Sequence, residues 1–188
     1  PAGRLLKPWD LAMIASCGLS RIRVYEKVRV GVVCTGSEVV EPGFPVKPGE
    51  VYNSTCVLAV SYLKQLGFAE PRYYGVFGDD PAVIRDVVLN ALSENHVLVT
   101  CGGAGVSDQD AVVEAVRSLG EFVFRGVAIR PGRPTSLALV GGKPVFTLSG
   151  YPVAVWTALE AVVAPVLYLV LGLEEPAKPT VKARLNRS

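Results

Sequence analysis

The chain has 188 residues, enough for one ordinary domain with short additional segments. Half of the residues are hydrophobic and 19% are charged, which excludes a disordered polyelectrolyte and permits a large buried core. Nineteen Lys and Arg against 17 Asp and Glu leave a formal net charge of +2, so the composition indicates neither a nucleic-acid-binding protein nor one bound to a membrane surface.

The first half of the chain predicts strands and helices in alternation. The run 28–34 is continuously apolar, as in buried parallel strands, and the apolar residues of 57–66 recur at helical spacing until Gly67. The expected elements are a short amphipathic helix over Pro8 to Cys17, strands over Arg21 to Tyr25 and Val28 to Cys34, a Pro/Gly-rich loop over Glu41 to Glu50, a helix capped by Asn53 or Ser54, and a strand over Arg72 to Val76.

The second half continues the alternation. It predicts a helix from Asp79-Asp80-Pro81 to about Ser93, a strand over His96 to Thr100, a Gly-rich turn, and a helix from Asp108 or Asp110 to Leu119. Strands follow over Glu121 to Arg130 and Thr135 to Val140, and a Gly141-Gly142 hairpin leads into a strand over Pro144 to Leu148. The chain then continues with an apolar helix and the start of a strand over Thr180 to Leu185. Helices between successive strands predict an α/β fold with a mostly parallel sheet covered on both faces.

The segment Val153 to Leu171 is almost entirely apolar and nearly long enough to span a bilayer. Glu160 and Pro165 interrupt it, and no basic cluster flanks it. We therefore expect a buried helix, packed in the core or against a second subunit, and no membrane span.

The four cysteines show no Cys-x-x-Cys spacing, and we interpret them as free thiols of a reduced cytoplasmic protein: Cys17, Cys34, Cys56 and Cys101. The lone His96 is expected in the core and excludes a His-rich metal site and a Ser/His/Asp triad. No signal peptide pattern is present, and the start at Pro1 leads us to expect a piece of a longer protein.

Ligands of open α/β sheets bind beyond the carboxyl ends of the strands, so the polar loops there are the candidates for chemistry. Five loops qualify: Thr35 to Glu38, Gly78 to Asp80, Thr100 to Gly103 with Ser107 to Asp110, Arg130 to Pro134, and Leu148 to Pro152. Glycine amides and Arg side chains suit phosphate, and carboxylates suit a divalent cation that bridges to it. The loops predict a phosphorylated anionic ligand with a metal ion.

Simpler interpretations stay open for single residues. Asp79, Asp80, Asp108 and Asp110 could each be a helix cap, and Glu38 a solvated loop residue. The Gly-rich loop has neither the dinucleotide fingerprint nor the P-loop pattern, so neither kind of binding is indicated.

Taken in order, the motifs resemble those of one family over about Leu6 to Gly172. They are Thr35-Gly36-Ser37-Glu38, Asn53-Ser54, Asp79-Asp80-Pro81, Thr100 to Asp110, Pro131-Gly132-Arg133-Pro134 and Leu148 to Val153. This order resembles the molybdopterin molybdenumtransferases, the MoeA family, with the gephyrin C-terminal domain as the animal relative.

The resemblance implies a three-layer αβα, MogA-like domain that binds molybdopterin, within a longer, dimeric enzyme of molybdenum cofactor biosynthesis. Such an enzyme takes adenylylated molybdopterin and molybdate and, with Mg²⁺, releases AMP and active cofactor. It also implies the domain organisation: 1–25 as the remnant of a preceding domain or linker, 26–172 as the molybdopterin-binding domain, and 173–188 as the start of a missing C-terminal β domain. A stand-alone molybdopterin adenylyltransferase and a non-catalytic scaffold of the same fold are the alternatives.

Residue by residue, the resemblance implies catalytic roles for Glu38, Asp79 and Asp110, with Asp79 and Asp110 also on the metal. The cofactor-binding residues implied are Thr35, Gly36, Ser37, Thr100, Gly102, Gly103, Ser107, Asp108, Arg130, Gly132, Arg133, Gly150 and Pro152. We expect the Pro131-Gly132 loop to hold its two arginines near the Gly102-Gly103 turn.

The ligand loops also depart from the family pattern. Cys101 and Gly105 replace serines, Ser107 replaces a glycine, Gly126 aligns with a family Lys with Arg125 adjacent, and Ser149, Tyr151 and Ala154 replace the Pro, Asn and Ser of L-P-G-N-P-V-S.

Overall fold

The computed structural model describes residues 3–103, 110–177 and 179–184. In chain order the elements are α1 (Pro8–Ser16), β1 (Val28–Thr35), β2 (Val39–Val40), β3 (Val51–Tyr52), α2 (Thr55–Gln65), β4 (Ala69–Phe77), α3 (Pro81–Glu94), β5 (Val97–Cys101), α4 (Ala111–Leu119), β6 (Glu121–Arg125), β7 (Ser136–Val140), β8 (Lys143–Leu148), α5 (Pro152–Ala158), a π-helical turn (Leu159–Val163) and α6 (Ala164–Val170).

Six strands form one sheet in the order β4-β1-β5-β8-β7-β6. Strands β4, β1, β5 and β8 are mutually parallel, while β7 runs antiparallel to both of its neighbours. One apolar core lies between the sheet and α2, α5 and α6, and a second lies between the sheet and α3 and α4. The predicted α/β fold, mostly parallel and covered on both faces, is confirmed.

The apolar segment forms one continuous helix, residues 152–170, from α5 through the π-helical turn to α6. Its length and composition would allow it to cross a membrane, but its fully buried side chains, such as Val155, Leu159 and Val163, pack in the core beside α2. The π-helical turn comes just before Pro165, and a wider turn there accommodates a residue that has no N–H to donate. The helix therefore serves the core, as the sequence predicts.

Several sequence-based expectations were wrong. Residues 21–27 form no strand, because this stretch is exposed and has no neighbouring strand to pair with. His96 is not a core residue: its ring is 36% exposed and lies 3.4 Å from the Glu26 carboxylate. Strand β6 ends at Arg125 rather than Arg130, since Gly126 turns the chain at φ +80°.

Other local expectations are confirmed. Gly141 and Gly142 both have positive φ, as a tight hairpin between β7 and β8 requires. The side chain of Asn53 caps α2, because its Oδ1 accepts a hydrogen bond from the Cys56 N–H at 3.1 Å. The short parallel pair β2 and β3, which flanks the Pro/Gly-rich loop, was not expected.

The end of α3 depends on one lysine from the β7–β8 hairpin. Lys143 Nζ donates to the carbonyl oxygens of Leu92 and Asn95, the latter at 3.0 Å. A positive donor at the carboxyl end of a helix satisfies orphan carbonyls and complements the helix dipole.

We expect Lys143→Met to lower the free energy of unfolding by about 1–2 kcal/mol, because Met keeps the aliphatic stem and loses both charge-assisted hydrogen bonds. Urea denaturation measures this. Lys64→Met, on the exposed last turn of α2, is the matched control and should change stability by less than about 0.5 kcal/mol. Equal losses in the two variants would contradict the assigned role.

Candidate functional site

Five strands end at one edge of the sheet. The parallel strands β4, β1, β5 and β8 run in one direction, and two successive antiparallel pairings return β6 to it. Backbone bonds join neighbouring ends: Gly36 N–H donates to the Phe77 oxygen and Gly102 N–H to the Leu148 oxygen, each at 3.0 Å. The five candidate loops therefore leave the sheet along the same edge, where an α/β sheet forms its ligand crevice.

The turn after β5 lies directly against the end of β1. Gly102 has φ +102°, and a Cβ on it would lie 2.0 Å from the Thr35 carbonyl oxygen. A Cβ on Gly103 would lie 2.9 Å from Thr35 Oγ1 and 3.3 Å from Asp110 Oδ1. Both positions require glycine, and they bring Thr35 and Asp110 to the two sides of one turn.

The Thr35 hydroxyl is buried and has no hydrogen-bond partner among the described residues; the same holds for Thr147 Oγ1. A buried polar group without a partner costs free energy, so the Thr35 hydroxyl is a candidate for contact with a ligand. Thr100, a predicted binding residue, differs: its hydroxyl donates to the Phe146 oxygen at 3.4 Å, inside the sheet.

The acidic residues have separate local roles. Asp110 caps α4, with Oδ1 accepting from the Val112 N–H at 3.1 Å. Asp80 caps α3 in the same manner, accepting from the Ala82 N–H at 2.8 Å. Asp79 is not a cap: its Oδ2 accepts from the Ser37 N–H at 2.9 Å, and its own N–H donates to Ser37 Oγ at 3.2 Å. Asp79 thus joins the loop after β4 to the loop after β1.

Glu38 is exposed and its carboxylate lies close to Gly36, where a Cβ would stand 3.0 Å from the nearer oxygen. Its carbonyl oxygen accepts from the Val51 N–H at 2.9 Å, which continues the β2–β3 pairing. The backbone of Glu38 is therefore fixed while its side chain faces the outside of the edge.

A polar network that motif analysis missed supports this loop. Tyr73 OH donates to the Glu41 carboxylate, and Asn53 Nδ2 donates to Tyr73 OH at 2.6 Å. Burial and the hydrogen bond to Glu41 raise the pKa of Tyr73 above its ordinary range, so the phenol stays protonated and donating. Tyr73 is 32 residues from Glu41 in the sequence, so no local sequence pattern predicts the contact.

Three thiols lie together behind the crevice. Cys34, Cys56 and Cys101 are buried and free. Contact with Cys56, together with burial, raises the pKa of the Cys34 thiol above its ordinary range, and contact with Cys101 raises that of Cys56. Protonated thiols are poor nucleophiles and poor metal ligands. In the described parts of the chain, no three His, Cys, Asp or Glu side chains are arranged to hold a metal ion.

The arginine loop joins β6 and β7. Arg133 and Arg125 line an open cavity of about 460 Å³ together with residues 126–128, Pro134 and Ser136. Gly132 approaches α5, since a Cβ there would lie 3.4 Å from the Ala154 oxygen. Arg130 is exposed. The expectation that both arginines of the loop lie at the Gly102-Gly103 turn stays a prediction; Arg133 lines the cavity together with Arg125.

The last loop completes the edge. A Cβ on Gly150 would lie 3.4 Å from Gly102 Cα, and Pro152 opens α5 in its first turn. The predicted residues Ser107 and Asp108 lie outside the described residues. Among the described residues, this edge thus brings together the Thr35 hydroxyl, the tight Gly102-Gly103 turn, and the Asp79 and Asp110 side chains, while Arg125 and Arg133 line the cavity of the β6–β7 loop.

The fold is that of an α/β domain, and its candidate site lies at the carboxyl edge of a mostly parallel sheet. The family model described as "Probable molybdopterin binding domain" matches residues 31–168. The chain belongs to this molybdopterin-binding domain family of molybdenum cofactor biosynthesis.

The similarity extends to relatives and solved structures. A molybdopterin molybdenumtransferase of Staphylococcus epidermidis is 35% identical over 176 residues, 93% of this chain and 42% of that protein. A MoeA molybdopterin biosynthesis protein of Pyrococcus horikoshii superposes with a TM-score of 0.81 at 33% identity, covering 90% of this chain and 42% of the other. The MoaB enzyme of Thermus thermophilus has a TM-score of 0.60 at 25% identity, covering 77% and 97%. The chain thus spans less than half the length of the first two.

Proposed function

We propose that this chain is the pterin-binding domain of a molybdopterin molybdotransferase. It binds adenylylated molybdopterin and, within a longer protein, takes part in the insertion of molybdate with release of AMP. The observation that carries the proposal is the match over 93% of the chain to a relative named molybdopterin molybdenumtransferase. The crevice supports it, because its glycine turns and arginines suit a phosphorylated ligand.

In this proposal each loop has a task. The Thr35 hydroxyl and the Gly102-Gly103 turn bind polar groups of the substrate, and Arg133 binds an anionic group. The other predicted residues of the edge complete the pocket: Gly36, Ser37, Thr100, Ser107, Asp108, Arg130, Gly132, Gly150 and Pro152. Glu38 has a carboxylate exposed at the edge and acts on the reacting group.

The proposed metal is Mg²⁺, held by Asp79 and Asp110. Mg²⁺ is usually held by only one or two carboxylates, with substrate phosphate oxygens and water completing the octahedron, so two Asp side chains suffice. When bound, the ion neutralises charge that develops on the leaving phosphate. Molybdate is a substrate of the reaction.

The assembly and location are part of the same proposal. Exposed apolar side chains of α1, among them Trp9, Leu11 and Met13, are suited to contact with another part of a longer protein or with a second copy. We propose a cytoplasmic homo-oligomer that binds neither nucleic acid nor membrane.

The deciding experiment supplies the purified protein with adenylylated molybdopterin, molybdate and Mg²⁺ and measures AMP by chromatography. Metal-dependent AMP release is the expected result. The second candidate is a stand-alone adenylyltransferase, favoured by the match to 97% of the MoaB chain. That enzyme would instead consume ATP and produce adenylylated molybdopterin. A scaffold would bind no pterin at all.

The arginine loop gives a binding prediction. Arg133→Ala should weaken binding of a pterin phosphate or pyrophosphate by about 1.5–3 kcal/mol, the range of a charge-assisted hydrogen bond. We expect the same loss for Arg130→Ala. Titration calorimetry measures both. Arg117→Ala, in the last turn of α4 away from this edge, is the control and should bind normally. Unchanged affinity in a folded variant removes that arginine from the site.

A further inference from the structure

Tyr151 lies at the centre of the crevice edge. It follows Gly150, whose Cβ position is 3.4 Å from Gly102 Cα, and it is the N-cap residue of α5. Consecutive Cα atoms are about 3.8 Å apart, so the Cα of Tyr151 lies one residue from Gly150, which approaches the turn that Thr35 and Asp110 flank. A ligand with a polar group on that turn is therefore bound beside the segment that carries Tyr151.

The fold itself makes little use of this side chain. N-cap positions favour Ser, Thr, Asp and Asn, whose side chains accept a hydrogen bond from the first turn, and Tyr151 makes no such bond. Its ring is also 64% exposed, so it adds little to the core. A residue that breaks the N-cap preference, and neither caps the helix nor packs in the core, is typical of a position that contacts a ligand.

Two neighbours extend the apolar surface. Val153 and Trp156 are three residues apart on α5 and are both exposed. The Trp156 ring is held in place by an edge-to-face contact with Tyr62, with ring centroids 5.6 Å apart. The Tyr151–Val153–Trp156 patch therefore offers flat apolar surface next to polar groups, which fits a ligand with one planar ring and one anionic end.

We propose that Tyr151 stacks on the planar heteroaromatic ring of the bound substrate and so sets the specificity of the crevice for ring-bearing ligands. The inference rests on the proposed function, which supplies a ligand with both a pterin ring and an adenine ring. The pterin and the adenine are both planar heteroaromatic rings, and either can stack on the Tyr151 side chain.

Matched probes separate the ring from the anion. AMP and ribose 5-phosphate share a phosphate and differ by the adenine ring, and neopterin supplies the pterin ring without adenine. Tyr151→Leu should weaken binding of AMP, of neopterin or of both by about 10-fold and leave ribose 5-phosphate unchanged. Tyr151→Phe should restore wild-type affinity, because it keeps the ring. Tyr25→Leu, at a tyrosine that is 77% exposed before β1, is the control and should bind all three normally.

The outcomes are distinct. Loss for AMP alone assigns the adenine ring to Tyr151, and loss for neopterin alone assigns the pterin ring. Unchanged binding of both ring ligands by Tyr151→Leu overturns the stacking role, while normal binding of ribose 5-phosphate keeps the anion site. If the wild-type protein binds none of the three probes, the proposed function falls together with this inference. A changed sedimentation coefficient with loss of all three ligands would assign the patch to a protein interface and overturn it.

Discussion

Asp110→Asn should abolish most metal-dependent AMP release and leave the fold intact. The Asp110 side chain has two tasks in our proposal: it caps α4 through the Val112 N–H and it holds Mg²⁺. Asn caps a helix about as well as Asp, so the first task survives and the melting temperature should stay within a few degrees. A neutral amide oxygen binds Mg²⁺ more weakly than a carboxylate, so the turnover rate should fall by at least about 100-fold.

The matched control for this experiment lies on the neighbouring helix. Asp80 caps α3 through the Ala82 N–H with the same geometry, and no catalytic task is proposed for it. Asp80→Asn should melt and turn over like the wild type. Turnover is measured as AMP formed against Mg²⁺ concentration. A folded Asp110→Asn protein that works at the wild-type rate would leave Asp110 as a helix cap only.

Gly102→Ala should lower the free energy of unfolding by about 3–5 kcal/mol, the largest stability loss we expect from any single methyl group in the crevice. Two penalties add: the φ of +102° strains any residue with a Cβ, and that Cβ would lie 2.0 Å from the Thr35 backbone oxygen. Backbone cannot rotate away as a flexible side chain can, so β1 and β5 must separate at their carboxyl ends. Ligand binding should be lost with the geometry of the turn.

Gly141→Ala carries the first penalty alone, so the difference between the two variants measures the second. Gly141 also has a positive φ, +56°, but no heavy atom lies within 4 Å of its Cβ position in the described structure. Its replacement by Ala should lower the free energy of unfolding by only about 1–2 kcal/mol, the usual cost of placing a residue with a Cβ in the left-handed region. Guanidinium denaturation of both variants measures the difference. Equal losses would show that the contact between Gly102 and Thr35 is not tight in solution.

The candidate site was predictable in part. The strand ends, the glycine turn and the caps depend on residues within a few positions of one another, and these could be read from the chain. The pairing of Asp79 with Ser37 depends on β4 lying beside β1, and local sequence rules allowed either Asp79 or Asp80 to cap α3. Arg125 shares a cavity with Arg133 because the chain after β6 folds back beside β7: the Gly126 N–H donates to the Thr135 oxygen and the Val127 N–H to the Arg133 oxygen.

By itself, the sequence determined the alternation of strands and helices, the buried helix, the hairpin at Gly141-Gly142 and the order of the ligand loops. These features follow from periodicity, capping and turn chemistry, which act over one or two turns of chain. Only the tertiary structure decided that Tyr73 holds the loop of Glu41, that His96 lies in an exposed charged cluster, and which carboxylates cap and which join loops. The physical reason is that such contacts link residues 20 to 70 positions apart, as with Tyr73 and Asn53 or Arg29 and His96, and their partners are chosen by the strand order of the sheet.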